Sequence, residues 1–241
     1  MAAAYVCRIL TVCVLSLAGT EPAKQDAQIL TAGQHHGNEV PADAAGLWWG
    51  LFPKGDDFEL LEVNVSVETE FDPVVDQEGE RTGKLVSIED DREPLFLVRG
   101  IENPVEGFVK TFWHEKTPGF LYPGQSVFLR EQEKKSVRLT AFGKAEEVRS
   151  HWTPRVVEYV LVLFSGYGEG LRQELRRIDV VDEDSPPSLI WAGDLDGDGK
   201  TDLFMDLTHH YNVTMLTLFL SSRARPGQIV GKAAEFRTVG C

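Results

Sequence analysis

Residues 188–207 of this chain read SLIWAGDLDGDGKTDLFMDL, and the middle of this stretch has the spacing of a metal-binding loop. Carboxylates stand at positions 1, 3, 5 and 9 of the loop, which are Asp194, Asp196, Asp198 and Asp202. Gly199 at position 6 permits a sharp bend, and the backbone carbonyl of Lys200 at position 7 supplies another oxygen. A polar surface turn would explain the composition but not the spacing. We therefore predict that these four carboxylates and the Lys200 carbonyl ligate a hard cation.

The residues on either side of this loop predict strands. Residues 188–192 and 203–207 are mostly apolar, and neither segment has the hydrophobic periodicity of a helix. An EF-hand starts with the same spacing, but it needs flanking helices and a Glu at position 12, where this chain has Met205. The loop is therefore expected to join two strands of a hairpin.

The rest of the chain also favours strands. Apolar and polar residues alternate over residues 58–68, as in a strand with one buried face. Residues 156–164 are almost continuously apolar, as in a strand buried on both faces. Turn residues separate further candidates at short intervals. We predict an all-β fold of about ten to twelve short strands, in which the acidic loop is one hairpin connection.

Residues 192–203, AGDLDGDGKTDL, resemble the calcium loop of the FG-GAP and VCBS repeat families. Those repeats form β-propeller blades or blade-like sheets in exported and extracellular proteins, including integrin α-subunits. The resemblance covers a single copy at about residues 188–207. It implies that the bound ion is Ca²⁺, held by Asp194, Asp196, Asp198 and Asp202 and by the carbonyl of Lys200. The fold is accordingly expected to be β-sandwich-like or partial β-propeller-like, with one calcium-binding hairpin loop.

The N-terminus predicts an export signal. Arg8 precedes an apolar run that is too short to span a bilayer as a permanent helix, and Ser16-Leu17-Ala18 fits a cleavage site after Ala18. Thr20 stands where a bacterial lipoprotein signal would have its lipidated Cys, so we expect no membrane anchor. The protein is predicted to be periplasmic or secreted.

Composition then divides the remaining chain into two parts. Residues 19–45 are polar and small, and they predict a flexible linker in which His35 and His36 are solvated. Residues 46–241 predict a single β-rich domain that contains the calcium loop at 194–202.

Charge and cysteine content limit the partners. The net charge of −14 argues against nucleic acid and anionic membranes, and it suits capture of a divalent cation. Cleavage of the signal would remove Cys7 and Cys13, so that Cys241 could form only an intermolecular disulfide, in a dimer. An extracellular protein and a glycan remain open as ligands.

Two functions remain open at this point. The first is a non-enzymatic calcium-binding protein, in which the ion pins the hairpin and supports recognition of a ligand or partner. The second is an exported hydrolase with a structural calcium and a site near Asp206, His209 and His210. The chain has no nucleophile-elbow serine and no H-E-x-x-H pair, and a polar corner would equally explain residues 206–212. We therefore expect the first function, with calcium as a structural ion.

Overall fold

The computed structural model describes residues 26–130, 136–146, 155–166, 170–181 and 185–240, which form sixteen strands and a 3-10 turn at Ser221–Arg223. The strands are β1 (Gln28–Leu30), β2 (Gly33–His35), β3 (Gly46–Lys54), β4 (Asp57–Glu70), β5 (Gly83–Ile88), β6 (Phe96–Arg99), β7 (Gly107–Val109), β8 (Thr111–Phe120), β9 (Ser126–Arg130), β10 (Ser136–Glu146), β11 (Arg155–Ser165), β12 (Leu171–Val181), β13 (Ser188–Gly193), β14 (Asp202–Asp206), β15 (Val213–Leu220) and β16 (Gly231–Val239). The all-β prediction is confirmed. The predicted export signal at residues 1–18 and the predicted Cys241 disulfide lie outside the described residues.

The strands form three antiparallel sheets. A seven-stranded sheet has the order β1-β6-β3-β4-β5-β2, with β7 paired to β4. A five-stranded sheet has the order β16-β15-β14-β13-β8, and a four-stranded sheet has the order β12-β11-β10-β9. Within the described residues, no helix has the length and apolar character that crossing a bilayer would require.

The five-stranded sheet is the middle layer, because its two faces belong to two different hydrophobic cores. Trp191, Phe204 and Leu218 pack into a core that includes the seven-stranded sheet. Leu203 and Met205 pack into a second core that includes the four-stranded sheet. Successive residues of β14 therefore point into opposite cores, as the pleat of a strand requires. This double burial explains why the three central residues of β14, 203–205, are all apolar.

Two of the longer strands match the patterns that predicted them. The alternating residues 58–68 lie within β4, the longest strand at 14 residues. The apolar residues 156–164 lie within β11, which pairs with β10 and β12 and is buried through its middle. The strand count exceeds the ten to twelve expected, because three-residue strands such as β1, β2 and β7 are too short to show periodicity.

The prediction of a flexible linker at 19–45 is wrong for its described part, residues 26–45. β1 pairs with β6, and β2 pairs with β5 at the opposite end of the seven-stranded sheet. Ile29 and Leu30 are buried in the core between the seven-stranded sheet and the middle sheet. The ordered domain thus begins before residue 46, because this short apolar pair buries enough surface to fix a segment of otherwise polar composition.

Candidate metal site

The acidic loop is the turn that connects the two strands of a hairpin in the middle sheet. β13 and β14 pair antiparallel, and their last matched residues are Gly193 and Asp202. The predicted hairpin is therefore confirmed. Gly197 and Gly199 have φ angles of 74° and 79°, a conformation that glycine adopts without the cost that a Cβ would impose. These two positions let the loop fold back tightly enough for its side chains to converge.

Three of the predicted ligands do converge. Each of Asp194, Asp196 and Asp202 offers a carboxylate oxygen, and these oxygens all lie within 4.8 Å of one another. Oδ1 of Asp194 and Oδ1 of Asp196 are buried and have no hydrogen-bond partner in the described part of the chain. Unpaired buried carboxylate oxygens are costly, and the three aspartates together could hold a metal ion.

Asp202 is the deepest of the three carboxylates and is fully buried. Its Oδ2 accepts the backbone N–H of Leu195 at 2.8 Å, and its Oδ1 accepts the backbone N–H of Ser221 at 2.7 Å. Burial raises the pKa of Asp202 well above its ordinary value, and the negative charge of Asp196 raises it further. A divalent cation beside this carboxylate would stabilise its ionised form.

Burial also disfavours the ionised form of Asp194, although less strongly than that of Asp202. Its Oδ2 accepts the backbone N–H of Gly199 at 3.0 Å, which closes the loop on itself. Burial raises the pKa of Asp194, and the charges of Asp198 and Asp196 add to this effect. Three carboxylates thus lie close together. Asp194 and Asp196 each have one oxygen without a partner among the described residues, and Asp202 is fully buried.

Asp198 and Lys200 are not part of the converging group. Asp198 accepts the hydroxyl of Ser221 at 2.7 Å and the Nζ of Lys200 at 3.0 Å through Oδ2, and the backbone N–H of Lys200 through Oδ1. Burial alone would raise the pKa of Asp198, but the hydrogen bonds from Ser221 and Lys200 outweigh it and lower the pKa. The structure therefore brings together three of the four predicted carboxylates, whereas the fourth, Asp198, accepts hydrogen bonds from Ser221 and Lys200. Ligation by the Lys200 carbonyl stays a prediction.

Two residues of the site were missed by sequence reasoning. Ser221 donates to both Asp202 and Asp198, and the hydroxyl of Ser222 donates to Oδ2 of Asp196 at 2.5 Å. Both serines belong to the 3-10 turn that follows β15, and β15 pairs with β14. No local signal in the sequence marks them, because their contact with the loop depends on sheet pairing.

The Asp206–Asn212 segment builds a polar turn. Oδ1 of Asp206 accepts the backbone N–H groups of Thr208 and Met215, both at 2.9 Å. Burial raises the pKa of Asp206. Nδ1 of His210 accepts the backbone N–H of Asn212 at 3.4 Å, and Nδ1 of His209 is buried without a partner among the described residues. These contacts place Asp206 and His210 in the turn's own hydrogen bonding, and they do not assemble an acid–base pair.

Scans of the chain against protein-family models, curated proteins and solved structures found no match. The likeness to FG-GAP and VCBS repeats therefore stays a prediction that depends on the loop residues alone. What the fold and the site define is an all-β protein with three aspartates that could hold a metal ion.

Proposed function

We propose that this chain is an exported, non-enzymatic calcium-binding protein in which Ca²⁺ pins the β13–β14 hairpin to the turn after β15. The observation that carries the proposal is the pair of unpaired buried oxygens on Asp194 and Asp196, beside the fully buried carboxylate of Asp202. The bound ion would stabilise the folded state, because its ligands lie in and beside the loop that connects two paired strands of the middle sheet.

The donor set favours a hard cation. All three converging groups are carboxylates, and the group contains no imidazole or thiol. Oxygen-only sites suit Ca²⁺ and Mg²⁺, whereas Zn²⁺ and copper favour nitrogen and sulfur ligands. Ca²⁺ accepts more ligands in a more flexible geometry than Mg²⁺, which suits a loop with a carbonyl and water to complete the shell.

The predicted export signal supports the same choice of ion. Extracellular calcium modules bind with dissociation constants of about 10⁻⁴ to 10⁻³ M, which calcium outside the cytoplasm can satisfy. At ten times the dissociation constant, binding would stabilise the folded state by about 1.4 kcal/mol. For a chain of this size, the melting temperature would rise by roughly 3 to 6 °C.

Thermal unfolding of the purified protein tests the proposal directly. The melting temperature is measured after EDTA dialysis and again with added CaCl₂ or MgCl₂, while titration calorimetry measures the affinity. We expect calcium to raise the melting temperature of the native protein and not that of Asp196→Ala. The matched control is Asp91→Ala, which removes an exposed aspartate outside the loop. An unchanged transition together with no binding heat would exclude a calcium site.

Export is tested separately by the mass of the product recovered from the periplasm or culture medium. We expect a mature chain that begins at Gly19, after cleavage at Ala18. An uncleaved chain that stays in the cytoplasm would contradict export without affecting the metal site.

A further inference from the structure

A cleft of about 650 Å³ opens between the seven-stranded sheet and the middle sheet. Gln34 of β2 and Phe71 after β4 line one wall, and Tyr211 and Asn212 line the other. The carboxylates of the metal site are not among its lining residues. A second depression of about 1100 Å³ adjoins the cleft, since His36 and Asp72 line both. We call the first of these, the cleft of about 650 Å³, the His36 cleft.

Two aromatic side chains of the His36 cleft are exposed. Tyr211 is 64% exposed and Phe71 is 46% exposed. The ring of His210 stacks on Tyr211 with centroids 4.9 Å apart and planes 24° apart. This stacking covers one face of the Tyr211 ring, while the residue as a whole stays largely exposed. Exposed aromatic rings provide a large apolar contact area at a low cost in side-chain entropy.

The polar groups of the His36 cleft are held in position by buried partners. Nδ1 of His36 contacts Oδ2 of Asp72 at 2.5 Å, and Asp72 is only 3% exposed. Asp72 also accepts the backbone N–H of Val74 at 3.0 Å, which fixes the carboxylate. The ring of His36 is therefore oriented, and its Nε2 is the nitrogen that Asp72 does not engage. Asn212 lines the opposite wall.

The charge of the lining disfavours an anionic ligand. The cleft contains the carboxylates of Glu39, Glu70 and Asp72, of which Asp72 is paired with His36, against the single lysine Lys84. Arg237 lines only the adjoining depression. The whole chain carries a net charge of −14, which adds to the repulsion of anions. A ligand for this surface is therefore neutral or positively charged.

We propose that the His36 cleft binds carbohydrate chains built from neutral or amine-bearing sugars. The C–H faces of sugar rings pack on exposed aromatic rings, while their hydroxyl groups need an oriented hydrogen-bonding group such as the ring of His36. The cleft volume is within the range of small-molecule sites, about 300 to 1,000 Å³. This site is independent of the metal site, so each can fail without the other.

Titration calorimetry with defined hexasaccharides tests the proposal on the full chain in calcium-containing buffer. The probes are cellohexaose, mannohexaose and a glucosamine hexamer, with a galacturonic acid hexamer as the anionic probe and a decapeptide pool as the peptide probe. We expect at least one neutral or amine-bearing hexamer to bind and the anionic hexamer not to bind. Binding by none of the neutral or amine-bearing hexamers, or binding of the peptide pool alone, would overturn the proposal.

Variants of the exposed rings locate the binding to the His36 cleft. Tyr211→Ala is expected to weaken binding about tenfold, whereas Tyr211→Phe keeps the ring and retains most of the affinity. Phe128→Ala removes an exposed ring from the outer four-stranded sheet and is expected to change nothing. Amide chemical-shift changes on titration should include Gln34 and Asn212. Equal affinity in Tyr211→Ala and the native protein, or shifts confined to other sheets, would contradict the assignment.

Discussion

The backbone N–H of Ser221 donates to Oδ1 of Asp202 at 2.7 Å and so joins the residue after β15 to the first residue of β14. Asp202 is therefore both a candidate metal ligand and the start of a strand that is buried on both faces. Its other oxygen accepts the N–H of Leu195 within the loop. One carboxylate thus connects the loop, the central strand and the 3-10 turn, which is why we expect metal binding to affect global stability.

Asp196→Asn and Asp202→Asn are predicted to differ in the metal-free protein, although both should abolish calcium-induced stabilisation. Both oxygens of Asp202 accept backbone N–H groups, so an amide NH₂ would oppose one of these donors. That loss should lower the free energy of unfolding by about 1–3 kcal/mol. Asp196 instead accepts a rotatable hydroxyl from Ser222, which can turn to accept from the new amide. Urea unfolding in EDTA measures both values, and equal destabilisation would contradict this account of Asp202.

Ser222→Ala is predicted to weaken calcium binding by about tenfold, since groups that orient metal ligands affect affinity on this scale. Its hydroxyl donates to Oδ2 of Asp196 and so restrains a carboxylate that converges with those of Asp194 and Asp202. Titration calorimetry measures the change. The matched control is Ser87→Ala, which breaks an exposed Ser66–Ser87 hydrogen bond in the seven-stranded sheet. If both variants bind calcium as the native protein does, Ser222 has no role in positioning the ligand.

The parts of the site that the sequence predicted are local. The loop spacing predicted Asp194, Asp196 and Asp202, because alternate residues of a tight loop share one side. Ser221 and Ser222 lie 19 and 26 residues after their partners Asp202 and Asp196, and only the pairing of β14 with β15 brings them there. A single sequence gives no register for that pairing, so these contacts could not be predicted.

The fold shows the same division between local and non-local information. Alternation over residues 58–68 predicted β4, since each apolar position repeats the same signal. β1 has only three residues, and its place beside β6 depends on a partner about seventy residues away, as Gln28 pairs with Arg99. The polar composition around β1 therefore predicted a linker where the structure has a strand.

The contact between His36 and Asp72 predicts a pH-dependent stability that His36→Asn should remove. The hydrogen bond to Asp72 raises the pKa of His36, with smaller contributions from the charges of Asp72 and Glu39, and the His36 hydrogen bond lowers the pKa of Asp72. A raised histidine pKa gives stability that is present below about pH 6.5 and lost as the pH rises through the folded-state pKa. A lowered aspartate pKa gives stability that is present above about pH 4 and lost on further acidification.

Melting temperatures at about pH 5.5 and about pH 8.5 check this expectation for the native protein and for His36→Asn. Asn places an amide nitrogen near the position of Nδ1, so the variant keeps a neutral donor to Asp72 and loses the titration. The stability difference between the two proteins should be largest at the lower pH and shrink at the higher pH. A difference that does not change with pH would mean that the pair is not charged in the folded protein.

Phe204→Ala and Met205→Ala are predicted to destabilise the protein strongly and through separate cores. Phe204 packs against Phe96 with centroids 4.3 Å apart in the core that includes the seven-stranded sheet, and Met205 is fully buried in the other core. Truncation of a buried Phe costs about 3–5 kcal/mol and truncation of a buried Met about 2–5 kcal/mol. Phe128→Ala, at a 66% exposed position, should change the free energy of unfolding by less than about 0.5 kcal/mol.

Urea unfolding in calcium and in EDTA measures these three variants and separates packing from metal binding. Calcium at ten times its dissociation constant adds only about 1.4 kcal/mol, so it cannot restore the stability lost at Phe204 or Met205. Asp202, one of the three candidate metal ligands, is the first residue of β14. Partial unfolding of β14 in either core variant should therefore also weaken calcium binding. A Phe204→Ala protein as stable as Phe128→Ala would show that β14 is not the central strand of two cores.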